Sequence, residues 1–94
     1  MRLTPNQDIM TQITKLLSDS KHKNKFTALS IVTAVGSVNY CWIRMANQST
    51  LTKIKGPMEI VSLSGTFDTN LSPHVHISLS RATGETLGGH LPSL

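Results

Sequence analysis

Cysteine is almost missing: Cys41 is the single one in 94 residues. No internal disulfide can form and a thiolate cluster for zinc is excluded, so an intracellular, reducing home, cytoplasmic or nuclear, is expected. Aromatic residues are equally scarce, at 4%. Phe26, Tyr40, Trp42 and Phe67 offer little of the base-stacking surface that single-strand binders use. No stretch approaches the ~18 consecutive apolar residues of a membrane span, and the N-terminus has no signal-peptide core, so no membrane partner is expected. A nucleophile constellation, a glycine-rich phosphate loop and a paired-carboxylate motif are also missing, which leaves catalysis with little support. Acidic residues are few, five against nine lysines and arginines, for a net charge of +4. That mild basic excess suits nucleic acid and equally suits plain solubility, for which a magnitude of ~2 to 8 is ordinary. The length makes one small domain, burying only a little over ~60% of its unfolded surface, for which a metal or an oligomer supplies stability.

What is present begins with Thr4-Pro5-Asn6-Gln7. Thr4 can cap a helix, Pro5 suits its first position and Gln7 completes a capping box. Ile9, Met10, Ile13, Leu16 and Leu17 then keep helical spacing through about Ser18, giving one apolar stripe to pack on a sheet. Lys21-His22-Lys23-Asn24-Lys25 follows, either a solvated connection or a patch in which Lys21, Lys23 and Lys25 contact nucleic-acid phosphates. The β-branched run Phe26 to Val35 and the stretch Val38 to Met45 predict two strands, separated by Gly36-Ser37. Arg44 sits in apolar company and needs either a partner, for which Glu59 is the candidate, or an anionic ligand. Ala46 to Thr52 reads as a loop. Lys53 to Gly56 leads into Pro57, and Met58 to Leu63 predicts another strand that ends in a turn at Ser64-Gly65. Thr66-Phe67 starts a further short strand, and Asp68 to Ser72 reads as a loop.

From Pro73 the chain reads PHVHISLSRATGETLGGH. Val75, Ile77 and Leu79 alternate with His74, His76 and Ser78, so the two histidines point to one side of a strand. If Ala82 to Gly84 close a three-residue hairpin loop, Arg81 faces Glu85 and His90 falls opposite His76, with Cβ atoms about 4.5 to 5.5 Å apart. A bulge at Gly88-Gly89 would shift this register by one residue. In the unshifted register three imidazoles converge, as a zinc site with an open fourth position requires. His22 stands apart and reads as solvated.

Gly36-Ser37-Val38 with Ile43-Arg44, the run Glu59 to Thr66, the run His74 to Ser80, Gly84 and Gly88-Gly89-His90 together resemble the PPC domain, also called DUF296, over nearly the whole chain. The resemblance implies an α+β domain, a mainly antiparallel sheet packed with an N-terminal helix, assembling as a homotrimer. Plant members carry AT-hooks and bind DNA in the nucleus. Single-domain members elsewhere lack the hook, and many bear three histidines proposed to bind a metal. This chain is similar to the second branch: His74, His76 and His90 match the metal motif, and no Arg-Gly-Arg-Pro hook occurs. Asn6 stands where the family often has glycine. After Gly-Gly-His the family continues through a further apolar strand, whereas here Leu91-Pro92-Ser93-Leu94 follows. Residues 1–94 are therefore expected to form one PPC domain lacking its last strand or strands, with an unpaired sheet edge.

Two functions are compatible with this pattern. One is a zinc-binding, DNA-binding regulatory trimer whose basic surface draws on Lys21, Lys23, Lys25, Lys53 and Lys55. The other is a metal-dependent enzyme on a small carbonyl or carboxylate substrate, by analogy with the similar fold of acetolactate decarboxylase, with Glu59 or Arg44 as acid-base group or anion anchor. The first is favoured.

Overall fold

The structure, a computed structural model, describes residues 1–18, 28–68 and 73–92. The Lys21 to Lys25 segment lies outside them. The helix α1 spans Ile9–Ser18, starting later than the Thr4 cap predicts. Thr4 and Gln7 do make the expected contacts: Thr4 N–H donates to Gln7 Oε1 at 2.7 Å, and Gln7 N–H to the Thr4 carbonyl at 3.3 Å. They close a turn instead, with Asn6 in the left-handed region at φ 69°, which an α-helix cannot contain. An asparagine tolerates that conformation better than most residues with a side chain. Asp8 is the true cap. Its Oδ2 accepts from Thr11 N–H at 2.9 Å and from the Thr11 hydroxyl at 2.8 Å, and its carboxylate also meets the positive end of the helix dipole, which a neutral hydroxyl does less well.

The apolar stripe packs as expected. Met10 and Leu17 are buried in one cluster with residues of every longer strand, and Ile9 and Ile13 lie against it.

Five strands form one antiparallel sheet: β1 (Ala28–Ser30), β2 (Ser37–Ile43), β3 (Thr52–Asp68), β4 (His74–Ser80) and β5 (Thr86–Leu91). β1 is far shorter than the β-branched run predicts: beyond Ile31, Val32 and Val35 are almost fully exposed, so hydrophobicity there finds nothing to pack on. β2 is close to expectation. β3 corrects it most, because one strand of 17 residues replaces the predicted strand, turn and short strand. Pro57 causes no break, since Val38 pairs with Met58 and Tyr40 with Lys55, leaving Asn39 across from Gly56 and Pro57. At such an irregularity a missing N–H is tolerated. Gly65 causes none either. It marks a close approach, where a Cβ would run into the His74 carbonyl oxygen of β4.

β3 is the spine of the sheet, pairing with β1, β2 and β4, while β5 pairs with β4. Just past β2, Arg44 bridges to His90: Arg44 N–H donates to the His90 carbonyl at 3.0 Å and His90 N–H to the Arg44 carbonyl at 3.1 Å. β2, β3, β4 and β5 thus neighbour one another in a ring. Ile43, Met58, Phe67, Val75, Ile77 and Leu79 fill its interior, each 2% exposed or less. Cys41 is buried among them, and burial, with Asp8 adding, pushes its thiol up to about 11. Such a thiol is a packing residue, not a nucleophile.

Candidate metal centre

The alternation that buries Val75, Ile77 and Leu79 of β4 puts His74 and His76 on the outer face, both exposed. The hairpin that returns β5 has the expected form. Gly84 takes φ 86°, its N–H donates to the Arg81 carbonyl at 2.8 Å, and Arg81 N–H donates to the Glu85 carbonyl at 2.9 Å. The Arg81 and Glu85 side chains lie 3.8 Å apart. His76 pairs with His90, so Gly88 and Gly89 insert no bulge. Their role is spacing: a Cβ on Gly88 would run into the Ile77 carbonyl oxygen, and one on Gly89 would come within 2.7 Å of Ile43 Cγ2. The glycines let β5 sit between β4 and Arg44.

Three imidazoles therefore meet. Their centroids are 5.1 Å apart for His74 and His76, 5.6 Å for His74 and His90, and 5.5 Å for His76 and His90. One ligating nitrogen from each lies within 4.8 Å of the others. Nitrogens around a common tetrahedral zinc stand about 3.3–3.4 Å apart, given bonds of about 2.0–2.1 Å, so small rotations of the two exposed rings complete the geometry. His90 gives the most direct sign of fit: its Nδ1 is buried and has no hydrogen-bond partner. A buried polar atom left unpaired is costly, and a metal ion would satisfy it. Burial lowers the pKa of His90, with Arg44, His76 and His74 lowering it further. The ring is held neutral, the form that ligates.

The neighbours in register were not legible from spacing. Ser64 of β3 pairs with His76, His76 with His90, and His90 with Arg44, a single row across the sheet, while Thr66 pairs with His74. Arg44 belongs beside the histidines because of a bridge between segments remote in sequence, and no periodicity announces it. Glu59 is not its partner: it pairs with Ser37 at the opposite end of β2 and with Ser80 at the far end of β4, roughly 20 Å from Arg44 at the rise of an extended strand. Arg44 is exposed. Lys53 and Lys55 are exposed too, on β3 across from Trp42 and Tyr40, and Lys53 Nζ lies 4.6 Å from the Tyr40 ring centroid and 5.9 Å from that of Trp42. Lys21, Lys23 and Lys25 are outside the described residues.

The family model of the Plants and Prokaryotes Conserved (PCC) domain matches residues 1–93. The chain belongs to this family. A hypothetical protein of Salmonella cholerae-suis has the same fold at TM-score 0.86 and 30% identity, covering 98% of this chain and 63% of that one. A Bacteroides thetaiotaomicron protein, provisionally described as DNA-binding, matches at TM-score 0.64 and 26% identity over 85% of this PCC chain and 59% of its own. In two Synechococcus strains the bifunctional protein GlmU is 32% and 31% identical over 94 residues. The chain spans only 14% of the length of those curated relatives. The described residues of this PCC chain thus form an N-terminal helix on a five-stranded antiparallel sheet, with three histidines placed close enough together to hold a metal ion. Among the described residues no helix is long and apolar enough to cross a membrane.

Proposed function

We propose that this chain is a zinc-binding PCC domain that acts inside the cell, in the cytoplasm or nucleus, as a trimeric DNA-associated module. The observation that carries the metal is the convergence of His74, His76 and His90, the last of which also has a buried, unpartnered ring nitrogen. Imidazole ligands suit zinc, and three of them leave a position open. DNA association is supported by the description of the Bacteroides neighbour and by the exposed Lys53 and Lys55. Trimer formation is supported by the family resemblance and by apolar side chains that one copy leaves bare, among them Val35 at 91%, Val61 at 57% and Tyr40 at 55% exposure. Light scattering at micromolar concentration is expected to give three times the chain mass, and a monomer there would end the trimer reading.

The DNA reading is tested by salt. Binding to duplex is expected to weaken as salt rises, log affinity falling by ~0.9 per neutralised phosphate per log unit. Replacing Lys21, Lys23 and Lys25 together by Ala should flatten that slope, as should Lys53→Ala with Lys55→Ala. Duplex binding that is absent even at ~50 mM salt, in folded and metalled protein, would overturn the reading. A second reading, a metal-dependent enzyme on a small carbonyl or carboxylate substrate, is favoured by one observation. Two of the three histidines are exposed, so a solute can reach the site. It predicts indifference to the lysines and a metal-dependent activity.

A further inference from the structure

The metal-capable group contains three histidines and no carboxylate. Neutral imidazoles leave a divalent ion with its full double charge, and the sheet adds another positive charge at the same place. Arg44 and His90 are directly opposed in an antiparallel bridge, so their side chains leave the sheet on the same face, with Cβ atoms about 4.5–5.5 Å apart. Of the carboxylates in the described residues, Asp8 caps the helix, Glu85 faces Arg81 in the hairpin, and Glu59 pairs with residues at the far ends of β2 and β4. Asp68 lies two residues beyond Thr66 on β3, outside the ligand group but lining one groove with His74. A metalled site would thus set Arg44 beside an ion that has no carboxylate among its ligands, an arrangement that favours an anion on the Arg44 side.

We propose that Arg44 and the open metal position together form a subsite for an oxyanion, a carboxylate or phosphate group, one oxygen of which takes the metal while the guanidinium holds the group from the β2 side. This rests on the metal reading above. The planar fork of arginine matches such groups with two parallel N–H···O bonds, which lysine cannot reproduce. On the opposite side of the histidines the register places hydroxyls, Ser64 across from His76 and Thr66 across from His74, with the Asp68 carboxylate two residues further along β3, so positive charge is one-sided and fixes the ligand's orientation. A groove lined by Leu29, Thr66, Phe67, Asp68 and His74 leads up to the site.

The test uses cobalt(II) as a spectroscopic stand-in for zinc. The full chain loaded with cobalt is titrated with acetate in one arm and inorganic phosphate in another, following the visible d–d bands. Wild type is expected to show a saturable spectral change with at least one anion, and the arm with the lower half-saturation concentration identifies the group. Arg44→Gln should raise that concentration at least tenfold while cobalt affinity, measured by chelator competition, stays equal or improves. Arg44→Lys should fall between. The backbone bridge of Arg44 does not depend on its side chain, so both variants are expected to melt as wild type does. Cobalt bands that neither anion perturbs, or an Arg44→Gln protein that binds anions as wild type does, would overturn the subsite while leaving the metal centre standing. Failure to acquire cobalt bands at all would remove the metal centre and the subsite with it.

Discussion

His76→Ala is expected to abolish metal binding: the purified wild type carries close to one transition metal per chain after dialysis, and the variant carries none. His76 is central in the row from Ser64 to Arg44 and lies next to both other ligands. Loss of an outer-shell partner already weakens a metal site about 10–100-fold, so loss of a ligand should exceed ~100-fold. Because His76 is exposed, the metal-free variant should match metal-free wild type to within about 0.5 kcal/mol. A folded wild type that neither carries metal nor takes up added zinc would end the proposal. Acid should also empty the site, since the ligating rings must be neutral. The pKa of His90 is lowered in the fold from 6.5. The unfolded chain therefore takes up its proton first as pH falls, and metal-free stability contributed by this group is full above about 6.5 and lost as pH falls toward the lowered folded value. Metal retained unchanged well below pH 5 would exclude histidine ligation.

Gly88→Ala is the second large effect. The new methyl would meet the Ile77 carbonyl oxygen, which belongs to the backbone and cannot rotate away. β4 and β5 must part, at the upper end of the ~1–3 kcal/mol typical of overpacking or beyond it. In a domain of this size each kcal/mol lowers Tm by about 4–8 °C, so a loss on the order of 10 °C or more is expected. The same displacement moves His90 from His76, and metal affinity should fall with stability. Gly84→Ala is the control: no atom lies near its Cβ, and only its φ of 86° opposes the substitution, at about 1–2 kcal/mol. If Gly88→Ala melts no lower than Gly84→Ala, the close approach of β4 and β5 is not as described.

The histidine hairpin was legible because its rules are local. Alternation set the faces, a three-residue loop set the register, and Gly84 marked the left-handed residue. Elsewhere local rules misled. Pro57 and Gly65 are strand breakers by propensity, yet β3 passes through both because a bulge absorbs one and tight contact with β4 requires the other. Val32 and Val35 favour strands, but without a partner strand they remain exposed. Thr4 and Gln7 form the contacts of a capping box around a turn, and Asp8 takes the helix. The candidate site divides the same way: the meeting of three histidines on one hairpin could be read, whereas Arg44 comes beside His90 only through a bridge that the folded sheet creates.

All three candidate metal ligands belong to one hairpin, which has a thermodynamic consequence for the proposed site. A ligand set spread along a chain is dispersed when the protein unfolds, and the whole binding energy then favours the fold. Here the entropy of bringing the ligands together is modest, because only residues 77–89 separate His76 from His90. An unfolded chain would then keep part of any capacity to capture metal, and a ligand stabilises a fold only by the difference between its affinities for the folded and unfolded states. Affinity and stabilisation are therefore separate quantities in this domain. A tightly held ion would raise the unfolding free energy by much less than its own binding energy.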